Sequence, residues 1–208
     1  MENSETSDPA GRPGPGCAAI LLTGGASRRM GRDKASIEIP SGEGRLSLAE
    51  RTAGLLESVA DPVVEVGPGR SGRWCVREDP PGTGPLAATA AGWTALSGRG
   101  WQGPVLVVAT DLPLLNAGLL GWLAGHPADR TVVPVSGDRV QPLCARYRPG
   151  DLALAVDLLT AGRRAMSDLL DVIDALLVPE REWSDPAGGR EALDDVDTPA
   201  DLERLNGP

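Results

Sequence analysis

The stretch from Thr23 to Lys34, TGGASRRMGRDK, gathers residue types that handle phosphate. Gly24 and Gly25 follow directly on the apolar run CAAILLT. Glycines in that position let backbone N–H groups come close to a ligand and form a concave anion site. From Arg28 to Lys34 the chain carries Arg28, Arg29, Arg32 and Lys34 against the single acid Asp33, within a protein of formal net charge −9. That contrast draws anions to one loop while the rest of the surface repels them. Lys34 is the sole lysine, so a composition that otherwise chooses arginine keeps an ammonium here. A compact, mobile point charge follows phosphate oxygens through a reaction better than a planar fork does. These residues fit a polyphosphate. The loop is not a P-loop, because Ala35 follows Lys34 and no GxxxxGK[ST] string is present.

Carboxylates are expected opposite this loop. Asp111 follows the apolar run VLVVAT and precedes Leu112 and Pro113, where a parallel sheet exposes its ligand face. One carboxylate combined with phosphate oxygens is the usual way to hold Mg²⁺, so Asp111 is the expected metal ligand; an Asp after a strand also serves as a helix cap or turn former. Asp79, in REDPPGTGPLAA, fits a contact to base or ribose and equally fits a turn aspartate. Gly67, Gly69 and Gly72 satisfy GxGxxG, but RWCV behind them reads as a strand, so the helix that a dinucleotide site requires is missing. His126 lies before Pro127 in a connecting loop and reads as a surface residue, and the five Trp are scattered as packing residues. No Ser/His/Asp or Cys/His relay is formed.

The elements that must position these groups alternate. CAAILLT (17–23), PVVEV (62–66), WCV (74–76), VLVVAT (105–110) and TVVPV (131–135) are short apolar runs with the character of buried parallel strands. Between them, residues 46–59 set Leu48, Thr52, Leu55, Leu56 and Val59 on one helical face, PLAATAAGWTAL opens after Gly84 and Pro85, and Asn116 caps AGLLGWLAG. The turn SGD (136–138) joins TVVPV to RVQPLCARY as an antiparallel pair, and residues 151–177 read as helices with a strand near DALLV. The pattern predicts an α/β three-layer sandwich, Rossmann-like, around a mainly parallel sheet. Ligands then sit beyond the carboxyl ends of the strands.

Composition bounds the rest. At 208 residues the chain fits one domain over 17–208, preceded by a tail over 1–16 that lacks large apolar residues and is expected to be disordered. With 29 acidic against 20 basic residues, general nucleic-acid binding is excluded. The absence of Phe leaves the core to Leu, Val, Ala, Ile and Trp. Cys17, Cys75 and Cys144 form no ligand pattern and read as small buried residues of a reducing cytoplasm. No run of about 18 apolar residues suggests a membrane span, and the N-terminal stretch has no signal-peptide layout, so a cytoplasmic protein with no membrane partner is expected.

The run LLTGGASRRMGRDKA resembles the signature of the molybdenum cofactor guanylyltransferase family, within the nucleotidyltransferase fold. The likeness continues through GPLAA, TDLPLL, QPLCARY, AGRRAMSDLL and the closing DVDTPADL, and covers most of residues 17–205. It implies transfer of GMP from GTP to the terminal phosphate of molybdopterin, with Mg²⁺ bound and pyrophosphate released. It further implies that Leu22, Thr23, Gly24 and Gly25 hold the nucleotide, that Lys34 and Arg29 meet its phosphates, that Asp79 helps bind the nucleoside, and that Asp111 binds Mg²⁺. Relatives that read cytosine resemble AAG where Thr23, Gly24 and Gly25 stand, so the glycine pair favours guanine. Two departures stand out. EVGPGR lacks an asparagine often found at that strand end, and Asp195 and Asp197 replace asparagines of some relatives.

The alternatives are a cytidylyltransferase for molybdopterin, a nucleotidyltransferase for another phosphorylated acceptor such as a sugar phosphate, and a binding protein that kept the fold without turnover. A monomer is the default for a small acidic domain, with room for transient contact with other proteins of the cofactor pathway.

Overall fold

The computed structural model describes residues 16–24, 34–41 and 44–195. The expected disordered tail over 1–16, apart from Gly16, lies outside the described residues, as do Gly25, Arg29, the Lys34 side chain and Asp197.

Strand β1 (Cys17–Leu22) is buried along its whole length, as its uninterrupted apolar run predicts. It pairs in parallel with β4 (Ala60–Val66) on one side and β6 (Val105–Ala109) on the other, with Leu22 opposite both Val66 and Ala109. Outside β4 lies β5 (Cys75–Val76), also parallel and shorter than WCV suggested. Beyond β6 comes β9 (Cys144–Tyr147), antiparallel, and then β7 (Val132–Ser136) and β10 (Leu176–Pro179), parallel to each other. β8 (Arg139–Val140) folds back on β7 through the turn at 136–138, as expected. Along the order β10-β7-β9-β6-β1-β4-β5 only β9 runs against the others, and β8, beside β7 and off this path, is the second antiparallel strand of the sheet. A separate hairpin, β2 (Glu38–Ser41) with β3 (Gly44–Ser47), was not expected from the sequence.

Alternation along β1 distributes its residues between two cores. Ala19 and Leu21 pack with Leu106, Val108, Leu56, Leu119, Leu120 and Trp183 under α1 (Leu48–Glu57) and α3 (Ala117–Ala124). Ile20 and Leu22 pack on the opposite face with Val107, Leu86, Leu96, Tyr147, Leu152 and Leu169. That second layer is built by α2 (Pro85–Ser97), α4 (Pro149–Thr160) and α5 (Met166–Leu170). The small residues of α2 let it seat close to the sheet: a Cβ on Gly92 would lie 2.7 Å from Ile20 Cγ2. A last helix, α6 (Glu180–Trp183), follows β10 and buries Trp183, whose indole donates to the Val135 carbonyl.

The expected helix over 46–59 begins two residues later, because Leu46 and Ser47 belong to β3. Ser47 caps α1 reciprocally with Glu50, the Glu50 N–H donating to Ser47 Oγ and the Ser47 N–H donating to the Glu50 carboxylate. Of its expected face Leu48, Thr52 and Leu56 are buried, while Leu55 and Val59 are half-buried. Asn116 caps α3 as expected, accepting from the Leu119 N–H. Among the described residues no helix is long and apolar enough to cross a membrane.

Candidate functional site

The sheet carries a switch point at its carboxyl edge. From β1 the chain crosses to β4 and β5 on one side, then returns through α2 to β6 on the other. The ends of β1 and β6 thus border a crevice that no crossover covers, the place where open α/β sheets bind ligands. Thr23 and Gly24 leave the end of β1, and Thr110 and Asp111 leave the end of β6. Register makes them neighbours, since Leu22 pairs with Ala109, and Thr110 Oγ1 reaches the Leu22 carbonyl at 3.5 Å. Thr110 is buried and Asp111 half-buried. Asp111 also lies close enough to the β9 thiol Cys144 to act on it electrostatically. Burial, with the Asp111 charge added, pushes that thiol up to about 12.

On the other flank of β1, the Gly67–Gly72 turn leaves the end of β4. The Thr23 N–H donates to the Val66 carbonyl at 3.1 Å, and the turn lies directly on Thr23 and Gly24. Gly67 has φ +152°, and a Cβ there would overlap Thr23 Oγ1 and come within 2.8 Å of the Gly24 nitrogen. The turn closes around one side chain. Glu65, 0 % exposed, accepts from the Thr23 hydroxyl and from the N–H groups of Gly69 and Arg70 on Oε1, and from the N–H and hydroxyl of Ser71 on Oε2. Burial raises the Glu65 pKa, but the hydrogen bonds from Ser71, Thr23 and Arg70 outweigh it and hold the carboxyl below its ordinary range.

Glu65 is not among the site residues expected from the sequence. PVVEV reads as an apolar run, although an acid on a strand buried on both faces must find donors or a cation, and a glycine turn rich in N–H groups follows it. The same geometry explains why Gly67, Gly69 and Gly72 are not a dinucleotide fingerprint. β5 follows them, as expected; the Gly69 N–H serves Glu65, and the Gly67 N–H donates to the Val76 carbonyl.

Of the expected site residues, Leu22, Thr23, Gly24 and Asp111 come together at this edge. Asp79 is exposed, in the loop between β5 and α2. Its neighbour Glu78 turns inward: Glu78 Oε1 accepts from the Gly82 N–H at 2.8 Å and lies 3.9 Å from the position of a Cβ on Gly24. Nothing in the sequence says which of two consecutive acids faces the crevice. Asp195 pairs with Arg139 of β8 at 3.0 Å, away from β1. His126 stacks edge-on against Trp122 and accepts from the Ala128 N–H, as a loop residue. Cys17 and Cys144 are buried as expected, whereas Cys75 is half-buried and its thiol donates to the Gly67 carbonyl.

Asp111, half-buried just after β6, is the carboxylate residue at this strand end. Among the described residues no group of three or more His, Cys, Asp or Glu side chains forms a metal cluster. One carboxylate completed by phosphate oxygens and water suits Mg²⁺, which gives up its waters reluctantly.

Comparison with known proteins agrees with this architecture. Over 201 residues the chain is 38% identical to a protein of Mycobacterium avium (strain 104) named probable molybdenum cofactor guanylyltransferase, covering 90% of this chain and 94% of that one. A protein of the same name from Mycobacterium tuberculosis is 39% identical over 170 residues, covering 77% of this chain and 82% of that one. Among solved structures, molybdopterin-guanine dinucleotide biosynthesis protein A from Archaeoglobus fulgidus shares the fold with a TM-score of 0.74 at 21% identity, covering 91% of this chain and 96% of that one. The 2-C-methyl-D-erythritol 4-phosphate cytidylyltransferase of Thermus thermophilus shares it with a TM-score of 0.57 at 18% identity, over 88% of this chain and 94% of that one. Residues 19–174, which run from inside β1 to just before β10 and so include both borders of the crevice, match the MobA-like NTP transferase domain, and the chain belongs to that family.

Proposed function

We propose that this chain is a molybdenum cofactor guanylyltransferase, transferring GMP from GTP to the terminal phosphate of molybdopterin with release of pyrophosphate. The observation that carries the reading is the junction of Thr23–Gly24 with Thr110–Asp111 at the switch point, in a chain 38% identical over 201 residues to a protein named for that activity. Backbone groups of Leu22, Thr23, Gly24 and Gly25 hold the nucleotide, with Asp79 on the nucleoside. A cytoplasmic monomer built as one domain over 17–208 belongs to the same reading and rests on composition.

The chemistry follows from charge. A phosphate oxygen of the acceptor attacks the α-phosphorus of GTP, a new P–O bond forms, and the bond to the β-phosphate breaks so that pyrophosphate leaves with the electron pair. Both partners are anions, and Glu78, Asp79 and Asp111 add carboxylates after the strand ends. Positive charge must therefore be brought to the crevice, and the segment leaving β1 carries it in Arg28, Arg29, Arg32 and Lys34. Lys34 and Arg29 meet the phosphates and Asp111 holds Mg²⁺. When bound, Mg²⁺ neutralises charge on the phosphates and on the departing pyrophosphate. No general base is required, because a phosphate monoester is already ionised near neutral pH.

Incubation with each NTP, Mg²⁺ and molybdopterin, followed by pyrophosphate release, tests the reading. Release with GTP alone is expected; release with CTP alone would overturn it. Lys34→Ala and Asp111→Ala are each expected to lower turnover by about 10² or more, the loss typical of removing one preorganised charge. Rates like wild type in either variant would remove that residue from the mechanism.

A further inference from the structure

Glu65 has no part in the chemistry above, yet its carboxylate accepts five hydrogen bonds from described residues. A fully buried carboxylate is expected to find a cation or to give up its proton. Glu65 instead collects two hydroxyls and three N–H groups. These donors come from two different strand ends. Gly69, Arg70 and Ser71 belong to the turn after β4, whereas Thr23 belongs to the segment after β1. Closing the turn alone needs only the first set; the fifth bond reaches across strands to the residue that begins the phosphate-binding segment.

We propose that Glu65 is a positioning residue of the nucleotide site, locking Thr23 to the Gly69–Ser71 turn so that the Thr23–Gly24 backbone keeps one shape for the bound nucleotide. The inference rests on the nucleotidyltransferase reading and adds to it a determinant of nucleotide affinity that does not touch the ligand. The carboxylate is specifically required. Oε1 faces three donors and Oε2 faces two, so a glutamine in either orientation would point an NH₂ group at donors already in place. The turn in turn bears on the nucleotide segment, since a Cβ at Gly67 would reach within 2.8 Å of the Gly24 nitrogen. Release of the clamp frees Thr23 and the turn together.

The test uses the full chain with Thr23→Val, Thr23→Ser and Glu65→Gln. Thr23→Val removes only the cross-strand hydroxyl and keeps the side-chain shape, so it serves if Glu65→Gln fails to fold. For Thr23→Val, the KM for GTP and the directly measured GTP dissociation constant are each expected to rise about tenfold, the order of one hydrogen bond to a charged group. The KM for the acceptor should stay within about twofold to threefold, because the variant leaves the acceptor-binding groups unaltered. Thr23→Ser should recover most of the affinity. A merely structural defect would lower the active fraction, hence kcat, and leave KM unchanged. GTP affinity within about twofold of wild type in Thr23→Val would overturn the inference while guanylyltransfer stands. GTP binding that responds as expected, with no turnover on molybdopterin, would overturn the guanylyltransfer reading and keep the inference. No GTP binding by the wild-type chain would overturn both.

Discussion

Glycines follow the ends of two neighbouring parallel strands, β1 and β4, and they stand there for different reasons. The Gly67–Gly72 turn needs glycine for the protein's own sake: Gly67 sits at φ +152°, and a Cβ there would overlap Thr23 Oγ1. Its amides face inward, onto Glu65. At Gly24, one strand away, an added Cβ would meet nothing nearer than 3.8 Å and the backbone angle is ordinary. Internal packing among the described residues does not demand glycine there; under the proposed function the demand comes from the nucleotide. A glycine motif by itself therefore says little; what its amides face decides between an internal carboxylate and an external phosphate.

The largest expected effect comes from Gly67→Ala, which adds both overlap and backbone strain. It should destabilise the fold by about 3 kcal/mol or more in urea unfolding, since each of the two faults alone is worth roughly 1–3 kcal/mol. A midpoint like wild type would mean that the turn moves freely off Thr23, and the contrast would collapse. Gly24→Ala should behave oppositely, with unfolding free energy within about 0.5 kcal/mol of wild type. Its KM for GTP should rise by about tenfold if Gly24 holds the nucleotide as proposed, because the methyl group would then stand at the backbone contacts. If Gly24→Ala instead unfolds the protein while GTP binding per folded molecule is unchanged, Gly24 is a structural glycine like its neighbour.

The contrast also bears on what could be read before the fold was known. β1 and β6 were legible because a strand buried on both faces must be apolar throughout, and CAAILL and VLVVA are. Asp111 was legible because it directly follows such a run. The β2–β3 hairpin was not: its strands have four residues each, one carries Pro40, and Ile39 is the one residue described as buried within them, with Ile37 just before β2. The start of α1 could have been fixed from Ser47 and Glu50, a serine followed three residues later by glutamate. Glu65 stayed hidden for a physical reason. The hydrophobic pattern reports which faces are buried, not which buried polar groups are satisfied, and of the donors to Glu65 the Thr23 hydroxyl lies on another strand end, 42 residues away. Asp79 and Glu78 differ only in which way the chain happens to turn, which no local pattern encodes.

The smallest effect sharpens the role of the inward-facing amides. Hydrogen bonds from the Ser71 side chain and N–H, from Thr23 and from Arg70 hold the Glu65 carboxyl below its ordinary range against the opposing effect of burial. A carboxyl lowered on folding contributes stability in full above its unfolded value, and loses that contribution as pH falls through its folded value. Ser71→Ala removes one of the two Ser71 donors and leaves the backbone N–H, so the folded value should move back up and the acid loss should set in at a higher pH than in wild type. At neutral pH the variant should be less stable by about 1 kcal/mol, the usual worth of one hydrogen bond. Urea midpoints measured from pH 7 downward give both quantities. Parallel acid profiles for wild type and Ser71→Ala would mean that the Ser71 hydroxyl does not hold the carboxylate charged, and that the turn's backbone amides with the Thr23 hydroxyl suffice to keep Glu65 ionised.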